Sequence, residues 1–415
     1  MISKEKFYGK RNYNKNGGIT LIALVITIIV LLILAGVTIA ALSGDNGILT
    51  RAKEAKEKTE QAQKDEEKTL SNMENILGVY SFKNINVADT NPGGVVPENS
   101  IVLEDDLNKG IVIKDKNNNE WVWVEIPKTT VFSGLTIDTT ETLTEQNYTD
   151  IKNKLVAYAA TYREGSSGQG FNWTDEWYDG CGMTSDEYTT AYQKMLKSVY
   201  TYGGFWIGRY EAGIQGSIDD VSKVRASHTD ITIGTSPKAI SQKDAIPYNY
   251  VYCSEAQALA NEMAPDGNYV GSLMFGIQWD LVCKFLEVKC GLTIEDIKTD
   301  SSTWGNYSNV ERKITSDKAK QKETSWITIT GKKLASNILL TTGASEETNK
   351  MNIYDFAGNE WEWTLEKTSY SSSSCAYRGG CYYNLSSGNP SSYRNRSDTT
   401  TNNSSIGFRS TFYTD

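Results

Sequence analysis

Near its C-terminus the chain alternates between residues that demand a core and residues that do not. Asn352-Ile-Tyr-Asp-Phe-Ala-Gly-Asn-Glu-Trp-Glu-Trp-Thr364, Tyr377-Arg-Gly-Gly380 and Ile406-Gly-Phe-Arg409 form aromatic anchors punctuated by glycine. Trp361, Trp363, Phe408 and Tyr354 each remove a large apolar area from water. Gly358, Gly379, Gly380 and Gly407 suit sharp turns or close backbone approach. Between the last two anchors, Cys381 to Ser405 is made almost wholly of Tyr, Asn, Ser and Thr. Tyrosine supplies contact area at little rotamer cost, and Ser and Asn supply adaptable hydrogen bonds, so a packed frame brackets a segment with the composition of a binding surface.

At 415 residues the length suggests two or three domains. A formal net charge of −9 and no clustered Lys/Arg face in the C-terminal part argue against nucleic acid as a partner. The six cysteines, Cys181, Cys253, Cys283, Cys290, Cys375 and Cys381, show no metal-type spacing. Cys283 reads as a buried core residue. Cys375 and Cys381 flank the Arg-Gly-Gly turn, where a disulfide and two free thiols are both open. The single histidine, His228, excludes triads and metal sites that need several imidazoles.

In chain order, residues 1–18 are a short basic leader with Lys4, Lys6, Lys10, Arg11 and Lys15. Residues 19–42 carry no charge and are rich in Ile, Leu, Val and Ala. About 20 such residues span a bilayer as a helix, so a transmembrane helix is expected, with the basic flank inside and the rest of the chain outside the cell. Residues 43–78 read as a charged helical stalk, with Ile48, Leu49, Ala52, Ala55, Thr59, Ala62, Thr69, Met73 and Ile76 near helical spacing. Residues 79–120 carry linker and turn signals, such as Asn91-Pro-Gly-Gly94, among short β-like runs. A globular domain is expected over 121–415, with strands at Trp121–Pro127 and Gly203–Gly213, a helix over Ser254–Glu262 and a turn into a helix over Leu273–Leu286. Residues 131–201 and 213–245 read as insertions.

Two resemblances attach to these residues. Lys15-Asn-Gly-Gly-Ile-Thr-Leu-Ile-Ala-Leu-Val-Ile-Thr-Ile-Ile29 resembles the start of a type IV prepilin or pseudopilin. That implies cleavage between Gly18 and Ile19 and contact with other pilins. The family's usual Glu at the fifth mature position is Ala23 here, which weakens polymerisation; an uncleaved anchor is the alternative.

From Trp121 to Tyr413, the Trp121 strand, Phe205-Trp-Ile-Gly-Arg-Tyr-Glu211, the Leu273–Trp279 helix start, Gly358–Thr364 and Gly407-Phe-Arg409 resemble, in order, the formylglycine-generating enzyme (sulfatase-modifying factor) family. The resemblance implies an α+β fold, a version of the C-type lectin fold. The family's oxidases place a copper-binding cysteine pair between the RGG turn and the GFR strand, because soft Cu(I) prefers thiolates. No cysteine follows Cys381 in this chain, so a non-catalytic domain is expected. Glu360 and Glu362 lie two apart and share a strand face; structural acceptance of hydrogen bonds outweighs acid–base work for them. Some members hold calcium near this loop, which makes Asp355, Asn359 and Glu362 the candidate oxygen donors, against an internally satisfied turn. No other cofactor is implied.

The same frame also resembles the target proteins of diversity-generating retroelements, whose rewritten codons fill variable positions with Asn, Ser, Tyr, Asp, Thr and Gly. Tyr382, Tyr383, Asn384, Ser386, Ser387, Asn389, Ser391, Ser392, Tyr393, Asn395, Ser397 and Asp398 fit that palette, with Arg394 and Arg396 as fixed frame. The resemblance implies an extracellular protein or glycan partner at the bacterial surface. A plain low-complexity loop, a minor pilin and a sulfatase-modifying oxidoreductase are the competing readings.

Overall fold

The computed structural model describes residues 21–43, 51–63, 80–163, 172–223, 225–329, 334–370 and 374–414. Two compact units divide the chain, Met1–Leu70 and Ser71–Asp415. In the first, helix α1 spans Leu21–Ser43 and helix α2 spans 51–63. Neither Gly nor Pro interrupts α2, and Lys56 and Glu60 pair one turn apart at 3.7 Å. The described side chains of α1, residues 22–34, are exposed. Among the described residues no helix is long and apolar enough to cross a membrane. The leader, including Gly18 and Ile19, lies outside the described residues.

The second unit is α+β. Strands β1 (Ile101–Glu104), β2 (Val112–Lys114) and β3 (Glu120–Glu125) open its main sheet. Helix α3 (Glu145–Tyr158), strand β4 (Trp173–Thr174), helix α4 (Ser185–Tyr202) and strand β5 (Gly204–Gly208) follow. Then come helix α5 (Cys253–Glu262), strand β6 (Tyr269–Leu273) and helix α6 (Gly276–Cys290). Strands β7 (Trp361–Thr368), β8 (Cys375–Arg378), β9 (Arg394–Ser397), β10 (Ile406–Phe408) and β11 (Ser410–Thr414) close the chain. The main sheet has the order β1-β2-β3-β5-β11-β6. The stretch read from sequence as a linker with short β-like runs thus supplies the two strands at one edge of the sheet. Its Val112 and Ile113 pair with Val122 and Trp121, and that pairing buries them.

The run Trp121-Val-Trp-Val is apolar without alternation because β3 is covered on both faces. Trp123 meets Trp206 edge-on at 5.1 Å, and Trp121 meets Phe412 at 4.8 Å. Within the stretch read as an insertion, α4 buries Tyr188, Tyr192, Met195, Leu196 and Val199, a stripe at helical spacing. Its N-terminus is closed by Thr184, whose side chain accepts from Glu187 N while the Glu187 carboxylate accepts from Thr184 N.

The second sheet carries the C-terminal anchors in the order β9-β8-β7-β10, with β4 also paired to β7. Strand β10 runs parallel to β7, Trp361 opposite Ile406 and Trp363 opposite Phe408. Strand β8 runs antiparallel, Glu362 opposite Arg378 and Trp363 opposite Tyr377.

Candidate functional site

Alternation along β7 sends Trp361, Trp363 and Leu365 to one face and Glu362 and Glu366 to the other. On the aromatic face, Tyr377 packs edge-on to Trp361 at 5.0 Å and Trp363 at 5.2 Å, and Tyr393 lies 6.1 Å from Trp361. On the acidic face, Arg378 of β8 stands directly opposite Arg394 of β9. Two guanidiniums facing each other repel unless carboxylates intervene, and here they do. Arg394 Nε donates to both Glu366 oxygens at 3.0 Å, and its Nη2 donates to both Asp280 oxygens at 2.7 and 2.6 Å. Arg378 bridges Glu366 at 3.0 Å and Asp280 at 2.9 Å. Arg163 completes the set, reaching Asp175 at 2.8 Å, Glu366 at 2.9 Å and Asp280 at 3.2 Å. Burial alone would raise the Glu366 carboxyl, but Arg394, Arg378 and Arg163 outweigh it and bring the pKa down to about 2. Arg394 is thus buried within this network, and Arg396 lies over the Tyr370 ring at 4.5 Å.

Ahead of this network on β7, Glu362 pairs with Arg409 at 2.7 Å. Asn249 donates to Glu360 Oε1 at 2.9 Å, and Glu360 Oε2 has no partner among the described residues. A Cβ on Gly407 would fall 2.2 Å from that oxygen, so the GFR glycine is required by the buried carboxyl above it. Glu211 accepts from Asn359 Nδ2 at 2.7 Å and from Glu360 N at 3.0 Å. Burial, reinforced by the surrounding carboxylates, raises Glu211 and Glu360 well above the ordinary carboxylate range.

The three oxygen donors expected to hold calcium are used internally instead. Asp355 accepts from Gly343 N at 2.7 Å and Thr348 Oγ1 at 2.8 Å. The Asn359 carbonyl oxygen accepts from Asn306 Nδ2 at 2.9 Å and Leu340 N at 3.1 Å. With Glu362 paired to Arg409, each of the three expected calcium donors has a protein partner.

Cys381 to Asp398 is bound to the frame along its buried side. Gly380 starts it at φ 79°, where a Cβ would strike the Asn389 carbonyl at 2.4 Å. Ser308 donates to the Asn384 carbonyl through N and Oγ, and Asn309 exchanges bonds with Ser386, donating to Oγ and accepting from N, both at 3.0 Å. Ser391 Oγ donates to the Ile297 carbonyl at 3.1 Å, and Trp279 Nε1 donates to the Ser391 carbonyl at 3.0 Å. Ser386, Ser391 and Ser392 are therefore fully buried, and their assignment to a ligand-facing surface is corrected. In an irregular loop, backbone bonding and not residue type decides which hydroxyl turns inward.

Tyr383 (49% exposed), Ser387 and Asp398 point outward, and Tyr382, Asn384, Asn389, Tyr393, Asn395 and Ser397 are half-buried around them. Tyr382 and Tyr383 meet edge-on at 5.2 Å, and Ser405 Oγ donates to the Tyr383 hydroxyl at 3.2 Å. Leu385, 58% exposed, was missed by a reading confined to the polar and aromatic palette. Its position inside the segment was the available signal. All six cysteines are free. Cys375 hydrogen-bonds Cys253, and Cys381 donates to Asn384 Oδ1 at 3.1 Å, so the two thiols flanking the turn are not joined.

The chain aligns with Treponema denticola variable protein 1 at 14% identity over 51% of this chain and 85% of that one, with a TM-score of 0.30. CarF aligns at 14% identity over 51% and 87% of the two chains, TM-score 0.32. The U1 variant of the Major Tropism Determinant aligns at 16% identity over 51% and 52%, TM-score 0.26. No curated protein matches. Residues 182–412, more than half of the chain, match the sulfatase-modifying factor enzyme 1-like domain, and the chain belongs to that family.

Proposed function

We propose that the chain is a surface-displayed, non-catalytic binding protein whose face over 382–398 recognises an extracellular protein or glycan. The observation that carries this reading is the contrast within the loop. Tyr383 and Leu385 project outward, while Ser308, Asn309 and Trp279 pin the same backbone from beneath. Rigid aromatic and apolar anchors on a preorganised support lose little entropy on binding. The absence of cysteine after Cys381 removes the thiolate pair that the family's copper chemistry uses.

On the same proposal, 19–42 anchors the chain in the bacterial membrane with its C-terminal domain outside, as a C-type-lectin-like module. A retroelement rewrites the outward codons. The prepilin resemblance adds leader cleavage at Gly18–Ile19; Ala23 counts against a main role as a filament subunit.

Sequencing the codons for Cys381 to Ser405 across a cell population, together with the adjoining DNA, tests the diversification. A nearby template copy, a reverse transcriptase and substitutions confined to template adenines are expected, most of them falling at outward positions such as Tyr383 and Ser387. Uniform codons with no template copy would leave a binding face of fixed specificity. Binding itself fails as a reading if alanine at Tyr382, Tyr383 and Tyr393 together leaves capture of an identified ligand unchanged.

A further inference from the structure

His228 lies in the 213–245 stretch, to which the sequence assigned no role. In the structure its Nε2 is 3.1 Å from both Glu255 oxygens. Asp230 lies beside them, and the three ligand atoms fall within 4.8 Å of one another. Their surroundings hold two of the three in place. The imidazole stacks on the Tyr252 ring at 3.9 Å, and the Glu255 carboxylate, in the first turn of α5, accepts from Tyr252 N at 2.9 Å and Ile231 N at 3.0 Å. Arg225 ties down the loop that carries them by donating to the carbonyls of Thr229 and Tyr250.

We propose that His228, Asp230 and Glu255 bind a divalent first-row metal ion, with zinc as the preferred ion. A simple ion pair needs one carboxylate for one imidazole. Here a second carboxylate, Asp230, lies within 4.8 Å of the paired imidazole and carboxylate, and a divalent cation neutralises both carboxylates where a single positive charge neutralises only one. The spacing also fits. Metal–ligand bonds of about 2.0–2.2 Å in a tetrahedron place neighbouring ligand atoms roughly 3.3 Å apart, close to the His228–Glu255 separation. Rotation of the solvent-exposed Asp230 side chain brings in the third donor. One nitrogen with two carboxylate oxygens selects a borderline ion over calcium, which takes oxygen ligands in larger number. Three protein ligands leave a fourth position for water or an outside donor. The site is separate from the 382–398 face and does not depend on the function proposed for that face.

His228 is the chain's single histidine, so its chemistry can be followed without background. Full-length protein in detergent is treated with diethyl pyrocarbonate with and without Zn2+, and Co2+ is titrated in parallel by visible absorption. Zinc is expected to protect the imidazole, and cobalt to give ligand-field bands that His228→Ala abolishes. Asp230→Asn, on an exposed side chain, and Glu255→Gln are each expected to weaken zinc protection by about tenfold or more. The Asp230 variant keeps the test decisive if loss of Glu255 disturbs α5. Equal reactivity of His228 with and without zinc, protection unchanged in Asp230→Asn, or equal protection by calcium would overturn the proposal.

Discussion

Strand β7 carries two clusters of buried carboxylates on one face, and they are neutralised by opposite means. Around Glu366, three arginines interleave with Glu366, Asp280 and Asp175, and Glu366 is held ionised with a pKa of about 2. Around Glu360, a single arginine, Arg409, serves Glu362, while Glu211 and Glu360 are pushed well above the ordinary range by burial and by their acidic neighbours. Three guanidiniums converge on Glu366 and outweigh the cost of burying its charge, whereas burial and neighbouring carboxylates favour the protonated forms of Glu211 and Glu360. The charged cluster lies directly under the proposed binding face, since Arg394 sits between Tyr393 and Asn395. A face whose outer residues change needs its inner residues fixed by interactions that do not involve them.

The largest expected effect breaks the charged cluster. Arg394→Ala leaves Glu366 and Asp280 short of a buried partner, and such a loss costs about 3–5 kcal/mol. Chemical denaturation of the variant should show that decrease; a change under about 1 kcal/mol would mean that Arg163 and Arg378 suffice alone.

Acid is the second test. Glu366 is depressed from 4.5 to about 2 in the folded chain, so between those values the unfolded chain binds more protons and stability falls as pH falls. Its contribution, on the order of 3 kcal/mol, is complete above about pH 5 and lost as pH drops towards 2. Unfolding followed by tryptophan fluorescence should show this acid limb, which Glu366→Gln removes because the glutamine does not titrate.

The sign reverses in the neutral cluster. Glu360 keeps its proton in the fold above the pH at which the unfolded chain releases it, so its contribution is present at low pH and declines as pH rises. Glu360→Gln does not titrate, and relative to the parent it should gain stability steadily as pH rises from 5 to 7. A difference that stays flat across this window would show that the Glu360 carboxyl is ionised in the fold.

Much of this arrangement was legible in the chain, and the remainder was hidden for physical reasons. The Trp121 strand, the Phe205 strand, the 254–262 helix and the Trp361, Arg378 and Phe408 anchors follow from periodicity and aromatic content, and all appear as elements. Strands β1 and β2, at one edge of the main sheet, were read as short β-like runs in a linker, because such runs among turn signals look the same whether or not they find a partner. The three-arginine network was concealed by distance along the chain, since Arg163, Asp175, Asp280, Glu366 and Arg394 share no local pattern. The family resemblance offered Glu362 as a calcium donor, while its partner in the structure, Arg409, comes 47 residues later, at the junction of β10 and β11. In the loop, composition did not tell which side chains turn inward, because Ser386, Ser391 and Ser392 differ from Ser387 only in which groups they meet.

The smallest expected effect on stability is also the sharpest test of the division between face and frame. Tyr383→Ala and Leu385→Ala remove exposed side chains, so each should change unfolding free energy by no more than about 0.5 kcal/mol. Ser391→Ala offers the opposite control. It adds no bulk, but it removes the hydroxyl that donates to Ile297 and accepts from Ser301 in a fully buried position, which should cost about 1–3 kcal/mol. If Tyr383 and Leu385 prove as costly to remove as Ser391, the outward residues belong to the core after all. If they cost nothing and Ser391 costs its expected share, the loop has an inner side that must be kept and an outer side that is free to change, as diversification of a binding face requires.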